Sequence, residues 1–203
     1  MEKLMWRIIV LLILYDFFKP PIDMLYFQNP LRPLVGIRNS IIDVFMHRRT
    51  YSHADFSGLW KVKAKFWDIR DEFFDIFQKT QRYYFHDLDK WFSKNNKYYY
   101  YKAKDFPKLY ALLKSIPCVD ESTAVFSVIE GPLVIPPHKA ESNTQLRYHL
   151  TIESGEDCIL ETEYDEHAHL TGEEFVFDHS RYHAVRKFGH KRRVVLILDI
   201  RRY

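Results

Sequence analysis

Three residues in this chain have types and spacing suited to chemistry rather than packing: His138, His183 and Arg193. Neutral imidazoles ligate first-row divalent metals, and two of them leave coordination positions open for other groups. A guanidinium is a planar fork that grips a carboxylate through two parallel N–H bonds, which a lysine ammonium does not offer. The set could therefore hold a metal and an anionic co-substrate side by side. Pro136-Pro137 stiffens the approach to His138, and His183 lies in the turn-and-strand sequence DHSRYHAV.

Strand alternation extends the set. In LRYHL, Arg147 and His149 point to one face, because side chains alternate along a strand. Arg193 shares a face with Val195 and Ile197, and Ser127 shares one with Ile129. If these faces line one interior, two arginines and a histidine are desolvated together, and buried cations need anionic partners. On the residues alone an internal Asp or Glu is the first candidate for that partner, ahead of a dicarboxylate ligand. His167, His169, His179 and His190 sit in polar contexts and are expected at the surface.

These side chains need a scaffold. From Ala124 to Ile200, short β-type runs alternate with Gly, Pro, Asn and Asp turn signals, which predicts an antiparallel sheet, sandwich or barrel. Ahead of it, Ser57 to Lys79 reads as a helix capped by Ser57. Its apolar stripe runs through Leu59, Val62, Phe66, Ile69, Phe73 and Phe77, widened by Trp60, Trp67 and Phe74, and should pack on the sheet. Asp68, Arg70, Asp71 and Glu72 then form its solvated or salt-bridged face. Asp105 to Ile116 reads as a second helix, with Asp105 as cap and Pro107 in the first turn. Residues 81–104 are aromatic and polar without a clean period. Within them Tyr98 to Tyr101 should cover the sheet, with a substrate channel or a partner stack as the alternatives.

The strand segments also carry a family resemblance. PPHKAESNTQLRYHLTI, GEEFVFDHSRYHAV and RVVLILDI, in that order and spacing, resemble the catalytic domain of the aspartyl/asparaginyl β-hydroxylases. The match is close from Ala124 onward and looser over the preceding helical segment. The resemblance implies a fold that is mostly β with flanking helices, built on a double-stranded β-helix (jelly-roll, cupin-like) core. It implies an iron(II)- and 2-oxoglutarate-dependent dioxygenase that consumes O2. His138 and His183 would hold the iron, and Arg193 would pair with the distal carboxylate of 2-oxoglutarate. Ser127, Arg147 and His149 would complete the co-substrate pocket, with Asp178 orienting His183 from behind. The carboxylate that usually follows the first histidine by two residues is Ala140 here. A two-histidine site is known in this branch, and Glu141 or water could supplement it. Where relatives often read FDDS, this chain has FDHS, with His179 at the rim. The implied substrate is an Asp or Asn side chain in a polypeptide, hydroxylated at its β-carbon. The alternatives are a lipid acyl chain, as in the lipid A hydroxylases of the same family, and a degenerate barrel that only binds a ligand.

Composition narrows the remaining classes. Forty-seven per cent hydrophobic content across 203 residues is ample for one core. The net charge of +3 is scattered, and its short basic clusters come with no nucleic-acid motif, so no nucleic-acid partner is expected. The two cysteines, Cys118 and Cys158, make no disulfide framework; free buried thiols are expected, with one bridge between them as the alternative. Residues 1–50 read as an apolar N-terminal segment and linker, and residues 51–203 as the dioxygenase domain with its helices. Ile8 to Tyr15 is apolar but short of the ~20 residues of a membrane span. Residues 4–18 are thus a candidate membrane-associated anchor; failing that, a cytoplasmic location is expected. Pro20, Pro21, Pro30 and Pro33 suit an extended linker from Lys19 to Leu34, and a short helix is expected between Gly36 and Arg49.

Overall fold

The computed structural model describes residues 2–85 and 96–203; the middle of the aromatic segment 81–104 lies outside them. Ten strands among the described residues form two antiparallel sheets. The larger takes the order β1-β2-β3-β10-β5-β8, from Tyr83–Tyr84 (β1), Tyr98–Lys102 (β2), Val119–Ile129 (β3), Arg193–Arg201 (β10), Gln145–Glu153 (β5) and Glu174–Phe177 (β8). The smaller takes the order β4-β9-β6-β7, from Leu133–His138 (β4), His183–Lys187 (β9), Cys158–Thr162 (β6) and Glu166–Ala168 (β7). The chain passes from one sheet to the other at Glu130–Pro132, where Gly131 takes φ +67°, a conformation that suits a residue without Cβ. From β3 onward the chain changes sheet at every step except β6 to β7, which gives the jelly-roll arrangement expected from the sequence.

Each strand of the large sheet is apolar on the face away from the small sheet. Phe126 and Val128 on β3, Val194, Leu196 and Leu198 on β10, and Tyr148 and Leu150 on β5 are all fully buried there. They pack against α3 (Trp60–Ala64), α4 (Phe66–Ile76) and α5 (Pro107–Lys114). Phe73 is the centre of this layer, with ring centroids 4.7 Å from Phe126, 5.1 Å from Phe77 and 5.8 Å from Phe106. The predicted stripe from Leu59 to Phe77 is buried at every position. The helix that carries it is not continuous: it breaks at Lys65 (φ −100°, ψ 19°) and ends in a 3-10 turn, and Leu59, not Ser57, precedes its first turn. Trp60 and Trp67 do not widen the stripe. Each follows a stripe residue by one position, about 100° round the helix, and each stays exposed.

Glu72 was expected on the solvated face and is buried instead. Its two carboxylate oxygens accept the Lys108 and Leu109 amides at 2.7 and 2.8 Å. A carboxylate there satisfies two orphan donors at a helix N-terminus and complements its dipole. It takes the capping place expected of Asp105, which ends a separate 3-10 turn at Ala103–Asp105. Pro107 does occupy the first turn of α5.

The N-terminal residues form α1 (Glu2–Phe18) and α2 (Arg32–Met46), joined by turns rather than by an extended linker. α2 starts at Arg32, with Pro33 in its first turn, where a missing N–H costs nothing. Among the described residues no helix is long and apolar enough to cross a membrane. A buried polar chain fastens both helices to the barrel. Asp16 meets Arg32 at 2.8 Å and Lys19 at 3.1 Å, and Lys19 meets Asp43 at 2.9 Å. Asp43 also accepts from Asn143 at 2.7 Å and from Arg181 at 3.1 Å.

Candidate functional site

The other face of the large sheet looks onto the small sheet, and its residues are of another kind. Ile129, Ile135, Cys158, Leu160, Phe177 and Val185 make a thin apolar lining. Set into it are Ser127, His149, Thr151, His169, His183, Lys187 and Arg193, all buried. Alternation along the strands puts them there, as Arg193 alternates with Val194, and His149 and Thr151 with Leu150.

His138 and His183 are Cα partners across β4 and β9, with ring centroids 4.1 Å apart. The ladder shifts register between Ile135 and His138, over the two prolines. The Nδ1 of His138 lies 2.9 Å from the Pro136 carbonyl, and that of His183 lies 3.0 Å from the Arg181 carbonyl. A carbonyl only accepts, so each ring carries its proton on Nδ1 and its lone pair on Nε2. Burial holds the His183 imidazole well below its ordinary 6.5, and the His138 and Arg147 side chains reinforce this, so it is neutral. Two rings each held at Nδ1 by a backbone carbonyl, and tilted 51° to one another, suit a shared metal ion.

Deeper in, Arg193 is 1% exposed. Its Nη2 donates to the Ser127 hydroxyl at 2.8 Å, and its Nε has no partner. Among the described residues no carboxylate lies within ion-pair distance of it, so the internal Asp or Glu considered from sequence is not there. The Tyr98 phenol hydrogen-bonds Ser127 beside Arg193; burial raises its pKa and Arg193 opposes the shift. Tyr98 thus faces the interior, while Tyr99 and Tyr101 cover the helix side of the sheet. Burial keeps His149 neutral, and the His169, Arg193, Arg147 and His183 side chains all add to that. His149 Nε2 and Thr151 Oγ1 are sealed from solvent and, like Arg193 Nε, unpartnered among the described residues.

An open cleft of about 660 Å³ leads to His138. One wall is Pro136 to Glu141, and the other comes from the N-terminal segment, including Ile22, Met24, Leu25 and Asn29.

The family's sequence profile for aspartyl/asparaginyl β-hydroxylases matches residues 63–203. The chain belongs to that family. It is therefore of the hydroxylase kind, on a cupin-like jelly roll. Solved structures similar to it include KdgF from Halomonas sp., at 14% identity over 59% of this chain and 94% of that one (TM-score 0.37). The Cnp3 cupin domain of Schizosaccharomyces pombe is 6% identical over 54% of this chain and 60% of its own (TM-score 0.33). A predicted oxalate decarboxylase from Thermotoga maritima is 13% identical over 38% and 64% respectively (TM-score 0.33). No curated protein matches.

Within this family frame, the structure brings His138, His183, His149, Ser127 and Arg193 around one interior. Arg147 shares their face but is only half-buried, and its Nε donates to Asp199 at 3.0 Å across β5 and β10. Asp178 does not orient His183. It accepts from Arg202 at 2.6 Å and from Ser180 at 2.6 Å, and the Arg181 carbonyl does the orienting. Glu141 is exposed at the edge of the cleft. Among the described residues no group of three or more His, Cys, Asp or Glu side chains is close enough to hold a metal.

Of the four histidines expected at the surface, only His190 is exposed. His169 and His179 are buried, and His167 stacks on Phe175 with centroids 4.5 Å apart. Local polarity misleads here, because neighbours along the chain point outward while the ring points in. His169 meets Cys158 Sγ and His149, each at 3.5 Å. Cys158 is a buried free thiol as expected, and Cys118 is free but only half-buried. Thr151 and Lys187 were also missed, although extending the alternation from Arg147 and from His183 would have reached both.

Proposed function

We propose that this protein is an iron(II)- and 2-oxoglutarate-dependent dioxygenase that hydroxylates an unactivated C–H. The observation that carries this reading is a buried guanidinium with no carboxylate partner among the described residues, in the same interior as two histidines whose Nδ1 atoms both face backbone carbonyls. His138 and His183 would hold the iron through Nε2. The bound iron, with O2 and 2-oxoglutarate, supplies the oxidising power: the co-substrate loses CO2 to become succinate, and one oxygen atom ends in the new C–OH. The chain's part is position, charge and exclusion of water. Arg193 and Ser127 would bind the distal carboxylate of 2-oxoglutarate, satisfying Arg193 Nε in the process. His149, neutral and with Nε2 unpartnered, would meet the co-substrate between that end and the iron. The sealed lining of Ile129, Leu160 and Phe177 keeps bulk water from the reacting atoms.

The leading substrate is an Asp or Asn side chain of a polypeptide, entering by the cleft beside His138. Asn29, Gln28 and Glu141 offer that cleft partners for backbone amides. A lipid acyl chain is the second reading, favoured by Ile22, Met24, Leu25 and Pro137 in the same walls. Anaerobic titration with Fe(II) and 2-oxoglutarate tests the cofactor chemistry without a known substrate. A visible metal-to-ligand charge-transfer band is expected in the wild type and absent in His183→Ala. Folded, iron-loaded protein without the band would point to a barrel that only binds a ligand.

A further inference from the structure

Lys187 is the second buried cation of the interior, and nothing described so far uses it. It follows His183 and Val185 on the inward face of β9 and is 0% exposed. Its Cα partners are Leu133 on β4 and Cys158 on β6. An ammonium has three N–H donors, and among the described residues the one acceptor for Nζ is the Gly189 carbonyl. Among the described residues no carboxylate lies within ion-pair distance of Lys187. Burial acts against its charge, and the groups that act on it next are Cys158 and Arg193, ahead of Glu130 and Glu156. Both of those acids are engaged elsewhere, Glu130 by the Tyr99 hydroxyl at 2.7 Å and Glu156 by Lys191 at 2.6 Å.

Lys187 and Arg193 also lie side by side. A Cβ placed on Gly155 would overlap both Lys187 Cε and Arg193 Cβ, the latter at 2.6 Å. Lys187 Cε thus packs on the stem of Arg193, while the ammonium turns to the Gly189 carbonyl and the guanidinium to Ser127. Two cations on one lining, sealed from water and with no acid among the described residues to answer either, are a costly arrangement unless an anion joins them.

We infer that Lys187 is a further co-substrate-binding residue, which with Arg193 clasps the distal carboxylate of the dicarboxylate. This rests on the 2-oxoglutarate reading above and adds a residue to it. The ammonium contributes a point charge beside the directional fork of the guanidinium. It also makes the end of the pocket selective for a second carboxylate over a methyl group.

The test is calorimetric titration of the Fe(II)-loaded protein under anaerobic conditions with two ligands. One is 2-oxoglutarate; the other is 2-oxopentanoate, which has the same chain without the distal carboxylate. In Lys187→Met, affinity for 2-oxoglutarate should fall about tenfold or more while that for 2-oxopentanoate stays as in the wild type. Lys187→Gln keeps a donor for the Gly189 carbonyl without the charge and should behave in the same way. Lys187→Arg should recover much of the loss. Equal affinities in wild type and variants, or equal losses for both ligands, would overturn the inference and leave Lys187 as a plug of the barrel end. A wild type that binds neither ligand would instead overturn the 2-oxoglutarate reading itself, and this inference with it.

Discussion

At the junction of α1, α2 and the loop before β9, every buried cation meets a carboxylate, whereas between the two sheets Arg193 and Lys187 meet none among the described residues. Lys19, Arg32, Arg181 and Arg202 are buried too, though less completely than the interior pair, and Asp16, Asp43, Glu163 and Asp178 answer them. Burial of charge alone therefore does not mark a binding site. What separates the two regions is whether the protein supplies the counter-charge. The junction supplies its own counter-charges and holds the N-terminal helices on the barrel; the interior supplies none for Arg193 or Lys187 among the described residues.

Substitutions should split the two regions by sign. Asp43→Ala removes the carboxylate that Lys19 and Arg181 share, leaving them only Asp16 and Glu163, and should cost about 3 kcal/mol of unfolding free energy, read from denaturant titration. Arg193→Met, by contrast, removes a charge that has no partner. The ligand-free variant should be as stable as the wild type or gain up to about 4 kcal/mol, while 2-oxoglutarate ceases to raise its Tm. Equal destabilisation by both substitutions would erase the distinction.

Acid should find the junction first. Burial alone would raise the Asp178 carboxyl, but His47, Arg202 and Ser180 outweigh it and hold the group well below its ordinary 3.8. Asp16 follows the same pattern, with Lys19 and Arg32 overcoming burial. A folded pKa below the unfolded one contributes stability that is present above the unfolded value and is lost as pH falls through the folded value. The unfolding free energy should hold at neutral pH and drop as pH falls below about 4. Asp178→Asn should flatten that drop while lowering the plateau. The smallest effect expected lies outside both regions: Glu72→Ala should cost about 1–2 kcal/mol by uncapping α5 and leave ligand affinity unchanged.

The interior was more legible from sequence than the junction. Period-two alternation fixed which faces Arg193, Ser127, Arg147 and His149 share, and β pairing then brought those faces together. The same alternation could not show that Arg147 would meet Asp199, because that contact depends on the register between β5 and β10. The Leu59–Phe77 stripe was readable as one helical face, but its break at Lys65 was not, since no proline or glycine marks it. The junction left almost no trace. Its partners come from residues 16 to 202, each polar residue looks like solvated surface in its own neighbourhood, and only their meeting makes them buried. Asp178 was misassigned for this reason: it is near His183 in sequence, yet Arg202 claims it.

The guanidinium of Arg202 reaches Asp178, the Asn143 carbonyl and the Tyr51 hydroxyl. The 178–181 loop that it secures carries the carbonyl that sets the His183 ring. Loss of that one guanidinium would free the loop while the helices and most strands kept their own contacts. Arg202→Ala should therefore stay folded in outline with its histidines unaligned, read as a loss of Fe(II) affinity.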